Sequence, residues 1–539
     1  MKAYNAKDIR NIAIAGHGGR GKTTLAEAML YTAKATDRLG RVADGTTVLD
    51  FDAEEKKRKA TVSTAVAAIE WNGAKINIID TPGLFDFAGG MSEGIRAADS
   101  VLIVTAAGSG FDVGAEKALK AANARGISRM FAITRCDADN TDFYKTFAAI
   151  KDAVGGAICP VIVPYMDGGK AAAYVNLASR KAFDYSSGEK KEVAMPSDPQ
   201  LDEMLDILTE AVASSDDELM EKFFAGETFT REEIIKALNS GVSDGSVIPV
   251  YACAGYTCEA IDMLLDEIVY SAPSAADKAG ENGLACDENG PLAAICFKTI
   301  ADPFVGKMSF FKVVSGKITS DTPAYNSRTE ESERMGKIIT LKGSKQEDAS
   351  CIPAGDIGVV TKLAGIKTGD TVCSAKNPIT LEGIKFPTPC LSMARRPTKR
   401  RSRRACLDSS KRIRQFRSSS TKRPASRFSP VSASSTLTLS FPSSRTSSAL
   451  RSISACRRSH TESPSARRSK FRADTRSSPA DTASSAMCSS ASSPARATIS
   501  FSPRKLSAAP CRRTSSPQLK RVCATASRRA CLQAIRWSA

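Results

Sequence analysis

Asn11–Ala33 constrains this 539-residue chain more than any other stretch. Asn11-Ile-Ala-Ile-Ala15 is a short apolar run of β type. It leads into Gly16-His-Gly-Gly-Arg-Gly-Lys-Thr23, and apolar helical spacing follows from Thr24 to Ala33. The pattern G-x-x-x-x-G-K-[ST] between a strand and a helix is that of a phosphate-cradling loop. The glycines let backbone N–H groups curl around an anion, and the helix N-terminus adds the positive end of its dipole. Lys22 is placed to reach the outer phosphates and the Thr23 hydroxyl to bind Mg²⁺. The motif speaks for phosphate and is silent about the base.

A second strand, Lys75-Ile-Asn-Ile-Ile-Asp80, has an alternating pattern and closes in Thr81-Pro-Gly83. An Asp ending a neighbouring strand holds Mg²⁺ through water. The Gly83 N–H then senses a terminal phosphate, and the segment after it becomes a switch. Val101-Leu-Ile-Val104, a helix over Val113–Ala124 and Met130-Phe-Ala-Ile133 continue the alternation. Strands alternating with helices predict the α/β class, with a parallel sheet and ligands at the carboxyl ends of its strands. The fourth strand ends in Thr134-Arg-Cys-Asp137. A carboxylate there accepts from both N1–H and N2–H₂ of guanine, two bonds that adenine does not offer.

The formal net charge of +18 invites a nucleic-acid reading until it is located. From Arg395 onward 33 Lys+Arg face 4 Asp+Glu, a net +29, whereas residues 1–394 carry 43 against 54, a net −11. The same 145 residues hold 37 Ser and 27 Arg but no Gly, Asn or Tyr. Lacking the positive-φ positions that Gly supplies, and poor in large apolar residues, they predict a disordered tail. A basic RNA-binding arm, a solvated linker and coding sequence read out of frame all fit. Back-translating Thr398–Leu407 and starting each codon one nucleotide earlier permits Asp-Glu-Ala-Ala-Ile-Ala-Ala-Gly-Leu, which favours the last. Elsewhere, the two histidines, His17 and His460, argue against a His-based metal cluster or a Ser-His-Asp triad. Fifteen cysteines without a CxxC pair indicate neither zinc nor a disulfide framework. No run approaches the ~20 apolar residues of a membrane helix, so a cytoplasmic protein without a membrane partner is expected.

GHGGRGKTT (16–24), DTPGLFDF (80–87), TRCD (134–137) and the long insertion before Ile248-Pro-Val-Tyr-Ala252 resemble, in this order, a translational GTPase. The resemblance is specifically to elongation factor G and its elongation factor G-like relatives, over about residues 8–394. It implies GTP/GDP and Mg²⁺ as ligands and hydrolysis coupled to ribosomal translocation. It also implies the ribosome as partner, with ribosomal RNA as a candidate contact, and a monomer. Carried over by position, the nucleotide site comprises Gly16, His17, Gly18, Gly19, Arg20, Gly21, Lys22, Thr23 and Thr24. It continues through Asp80, Thr81, Pro82, Gly83 and Leu84, then Thr134, Arg135, Cys136, Asp137 and Gly255. Mg²⁺ falls to Thr23, Asp80 and Thr61, the last within Asp50–Val62, where the first switch should lie.

Four departures stand out. Leu84 occupies the place of the family histidine that orients the attacking water, and no residue is assigned as catalytic. Leucine cannot hydrogen-bond or move a proton, functions worth about 10²–10⁴-fold. Thr134-Arg135 replaces an Asn-Lys pair, Ala254-Gly255-Tyr256 replaces a Ser-Ala-Leu loop, and Gly19 replaces an acidic residue. Two further readings follow: a GTP-dependent ribosome-binding switch that hydrolyses poorly, or a non-functional truncated frameshift product.

The expected architecture is a P-loop GTPase domain (1–275) with an inserted helical subdomain at about 158–245. A translation-factor β-barrel (285–378), the first strand of a third domain (385–394) and the tail (395–539) follow. Asp202–Ala213 has helical apolar spacing, Thr230-Arg-Glu-Glu233 reads as a capping box, and Glu259–Tyr270 is the last helix of the first domain. Barrel strands are expected at Ala294–Thr299, Lys307–Val314, Gly336–Leu341 and Ile357–Leu363.

Overall fold

The computed structural model describes residues 4–139, 141–167, 169–277, 283–302 and 305–387. Strand β1 (Ile9–Gly16) runs parallel to β3 (Ala74–Asp80) on one side and β4 (Ser100–Ala106) on the other. Beyond β4 the parallel run continues through β5 (Ser128–Thr134), β10 (Ile248–Ala252) and β6 (Ile158–Asp167). At the opposite edge β2 (Ala65–Trp71) pairs antiparallel with β3. The inner strands are apolar almost throughout because helices cover the sheet on both faces. These are α1 (Lys22–Thr32), α3 (Ala88–Ala97), α4 (Val113–Arg125), α5 (Phe143–Val154) and α9 (Ile261–Ser271). A short helix, α2 (Ala53–Arg58), is capped by Asp52.

The insertion carries the two expected helices, α6 (Pro199–Ala213) and α8 (Arg231–Asp244), with a further one, α7 (Asp217–Phe224), between them that the sequence pattern does not place. The Thr230–Glu233 capping box forms in both directions. It also carries β7 (Lys170–Asn176), β8 (Lys181–Asp184) and β9 (Lys191–Val193), which extend the sheet antiparallel from β6. The sequence pattern predicts helices alone. β7 has its last four residues buried behind an unbroken Ala-Ala-Ala-Tyr-Val run, and β9 is entirely exposed, so neither shows the apolar alternation that marks a strand.

The second domain is antiparallel. Its main sheet joins β11 (Ala293–Asp302), β12 (Gly306–Ser315), β14 (Pro323–Asn326), β15 (Glu331–Arg334), β16 (Ile338–Lys342), β17 (Lys345–Asp348), β19 (Ile357–Thr361) and β20 (Thr371–Cys373). The pair β13 (Ile318–Thr319) and β18 (Cys351–Ile352) stands apart. Side chains alternate between the faces of a strand, and here the two faces serve different cores. Cys296, Phe311, Ile338 and Val360 fill the second domain. Their neighbours Phe297, Phe310, Ile339 and Val359 join the core of the first. Buried polar pairs fix the register of that contact. Lys75 meets Asp356 at 2.6 Å, Asn77 donates to the same carboxylate at 2.9 Å, and Lys312 meets Asp99 at 2.8 Å. Removing one partner of such a buried pair costs about 3–5 kcal/mol.

Residues 385–387 are irregular. The remainder of the strand expected at 385–394, and the whole tail at 395–539, lie outside the described residues. Among the described residues no helix is long and apolar enough to cross a membrane.

Candidate functional site

The carboxyl ends of β1, β3, β5 and β10 converge on one loop. At Gly16 the backbone runs so close to the Val104 carbonyl that a Cβ would collide with it. Gly21 caps α1 at φ 89°, in the left-handed region that only Gly enters freely. The turn delivers Lys22, whose buried ammonium donates to the His17 carbonyl at 2.9 Å. Burial lowers its pKa, and the Asp80 charge opposes that shift. Gly83 packs against the same ammonium and the Gly18 N–H, where a side chain would not fit. Arg20 turns away, its guanidinium held 2.9 Å from Asp112, the N-cap of α4.

Beside Lys22 four oxygen-bearing side chains gather out of solvent: Thr23, Thr61, Asp80 and Asp50. Thr23 Oγ1 donates to Asp80 Oδ2 at 2.7 Å and lies 2.8 Å from Thr61 Oγ1. Among the described residues, neither Asp50 oxygen has a hydrogen-bond partner of ordinary geometry, nor has Asp80 Oδ1. Burial first, then the Asp80 charge, pushes Asp50 up to about 7. Burial pushes Asp80 likewise up to about 7, against the pull of Lys22 and Thr23. Two hydroxyls and two crowded carboxylates form a hard, oxygen-only donor set with unfilled acceptor positions. That chemistry suits Mg²⁺, which takes one or two carboxylates together with waters and substrate phosphates.

Two glutamates hold the segment that brings Asp50 and Thr61 here. Glu27 of α1 accepts from the Val48 and Leu49 N–H groups at 2.7 and 2.9 Å. Glu55 accepts from Val62 and Ser63, both at 3.0 Å, and from Asp52 at 3.2 Å, closing residues 52–63 on themselves. Burial pushes Glu55 up to about 7.

At the base end the polar atoms are spent differently. Thr134 Oγ1 donates to the Arg20 carbonyl at 2.8 Å and Arg135 Nη2 to the Gly19 carbonyl at 2.6 Å. Both brace the phosphate loop. The Asp137 side chain, half-buried, makes no hydrogen bond among the described residues. Gly255 packs on the Thr24–Leu25 backbone. Tyr256, 59% exposed, has the Arg41 guanidinium 4.1 Å from its ring centroid.

The family model for the elongation factor Tu GTP binding domain matches residues 7–274, and that for elongation factor G domain 2 matches 291–375. The chain belongs to the elongation factor G-like translational GTPases. A crystal structure of a Thermus thermophilus protein is 28% identical to it with a TM-score of 0.67. That alignment covers 76% of this chain and 62% of the other.

In this translational GTPase most residues singled out from the sequence do come together, but two turn inward. The Thr81 hydroxyl donates to the Ile14 carbonyl at 2.7 Å, and Cys136 is buried with its thiol near the Ile133 carbonyl. Burial pushes that thiol up to about 12. Pro82 is buried and packs close to Gly90 of α3. Leu84, 42% exposed, lies over Gly18. Next to it Phe85 meets the His17 ring edge-on at 5.5 Å, with the Lys117 ammonium 3.8 Å from its centroid. Sequence reasoning missed Asp50, Glu27 and Glu55. Asp50 begins DFDAEEKKRK, where no pattern separates a buried acid from solvated ones.

Proposed function

We propose that this GTPase binds Mg²⁺–GTP in the cradle of Gly16–Thr23 and changes the order of two switch segments when the terminal phosphate is lost. The observation that carries this is the convergence of Thr23, Thr61 and Asp80 beside Lys22. In the sequence these residues lie in three separate segments. Lys22 and the loop N–H groups would hold the phosphates, and Thr23, Thr61 and Asp80 would hold Mg²⁺, with Asp50 beside them. Mg²⁺, when bound, neutralises charge developing on the phosphates. Asp137 would select guanine. Family resemblance supports the ribosome as partner, translocation as the process and the cytoplasm as location. Titration of the full chain with a fluorescent GTP analogue, with and without Mg²⁺, tests the site. Magnesium-independent binding, or equal affinity for ATP, overturns it.

Leu84 favours a second reading, a switch that holds GTP and hydrolyses it slowly. A side chain without a hydrogen-bonding atom stands where the attacking water must be oriented. Turnover measured with and without ribosomes separates the readings, since no stimulation removes the translocase. The composition break at Arg395 carries the further proposal that residues 395–539 are read out of frame. An intact reading frame on resequencing codons 390–400 overturns that.

A further inference from the structure

Lys298 lies on β11 of the second domain and is 6% exposed. Its ammonium donates to the Thr64 carbonyl of the first domain. Thr64 follows Thr61 by three residues, and its hydroxyl donates to the Gly90 carbonyl at 2.7 Å. Gly90 belongs to the first turn of α3, the helix entered from Gly83. Glu93, one turn further on, is almost wholly buried. Burial pushes its pKa up to about 8, and the Lys298 charge opposes that shift. The same charge acts on Glu55, the carboxylate that clasps Val62 and Ser63. A single cation from the second domain therefore addresses the end of the Thr61 segment, the clasp behind it and the helix after Gly83.

An ammonium so buried is unfavourable unless its surroundings supply acceptors and charge. Here those surroundings belong to the two segments that must move together. We propose that Lys298 is a positioning residue of the nucleotide site, locking the Thr64 end of the first switch to α3, so that preference for GTP over GDP depends on a second-domain side chain. This rests on the reading of Thr61 and Gly83 as phosphate sensors. Thr61 reaches Thr23 when residues 62–64 are anchored at both N–H and carbonyl, the first by Glu55 and the second by Lys298. GDP has no terminal phosphate to engage either sensor, so its affinity is insensitive to the lock.

The test uses the full chain with Mg²⁺, a non-hydrolysable GTP analogue and GDP. Lys298→Met should weaken the GTP analogue about tenfold, the loss of a charged hydrogen bond, and leave GDP within about twofold. Lys298→Arg, which keeps charge and donors, should recover most of the ratio. Lys75→Met, breaking the Asp356 pair in the same interface, should lower the melting temperature without altering the ratio. Equal weakening of both nucleotides by Lys298→Met, or an unchanged ratio, overturns the proposal. Should Lys298→Met not fold, Thr64→Ala, which removes the hydroxyl bond to the Gly90 carbonyl, serves: a lowered GTP:GDP ratio supports the lock and an unchanged one overturns it. A wild-type chain that binds neither nucleotide overturns the nucleotide-site reading as well. A wild-type preference for GTP that survives Lys298→Met overturns the lock alone.

Discussion

The phosphate end and the base end of the site share one sheet, yet they use their polar side chains in opposite ways. At the phosphate end Lys22, Thr23, Thr61, Asp50 and Asp80 are all buried and face one another. At the base end Thr134 and Arg135 turn their donors back onto the phosphate loop, and among the described residues the half-buried Asp137 carboxylate accepts no hydrogen bond. The first arrangement concentrates charge in a buried pocket, where an unmatched group is expensive. The second stiffens the cradle and leaves recognition of the base to few contacts. Affinity should therefore be lost easily at one end and gained easily at the other.

The largest effect should come from Leu84→His. If the phosphate end lacks only an imidazole, turnover on ribosomes should rise by about 10²–10⁴-fold. An unchanged rate in a multiple-turnover assay would show that the deficiency lies elsewhere. Next, Lys22→Met should weaken GTP and GDP alike by about 100-fold, as a charged hydrogen-bond partner worth about 1.5–3 kcal/mol is lost. Equilibrium titration reads this directly, and a loss confined to GTP would break the assignment of Lys22 to both phosphates. Thr61→Ala should cost the GTP analogue about tenfold in the presence of Mg²⁺, leaving GDP unchanged. Chelating Mg²⁺ should abolish the difference between wild type and variant. The smallest effect sharpens the contrast from the other side. Thr134→Asn should tighten guanine nucleotides about fivefold, near 1 kcal/mol for one added hydrogen bond. Weaker binding instead would mean that the Thr134–Arg20 brace matters more than contact with the base.

The same contrast explains what could be read in advance. Gly16–Thr23 and Asp80–Gly83 carry glycine spacing and strand-end position, local properties that survive in sequence. So β1, α1 and β3 form close to where the pattern places them, and the Thr230 capping box forms as written. Asp50, Glu27 and Glu55 owe their importance to contacts that the fold brings together, and no periodicity marks them. Leu84 and the Thr134-Arg135 pair were legible as departures from a resemblance. That Thr134 and Arg135 brace the loop was not, because hydrogen bonds to backbone carbonyls leave no signature in residue type. Strands β7–β9 escaped notice because β7 carries an unbroken Ala-Ala-Ala-Tyr-Val run and β9 is an exposed edge strand, so neither shows an apolar alternation.

The second-domain sheet, with Phe310 and Val359 turned toward the first domain, bears on the order of synthesis. Ser271, which ends α9, leaves the ribosome some 90 residues before Thr361. At about 5–20 residues per second that interval lasts roughly 5–20 s. Throughout it the nascent nucleotide-binding domain presents to water the apolar ground that Phe297, Phe310 and Val359 later cover. Lys75 and Asn77 wait over nearly the same interval for Asp356, and Asp99 over about half of it for Lys312. A chain released within that window would carry every phosphate-loop residue and still lack one wall of its core.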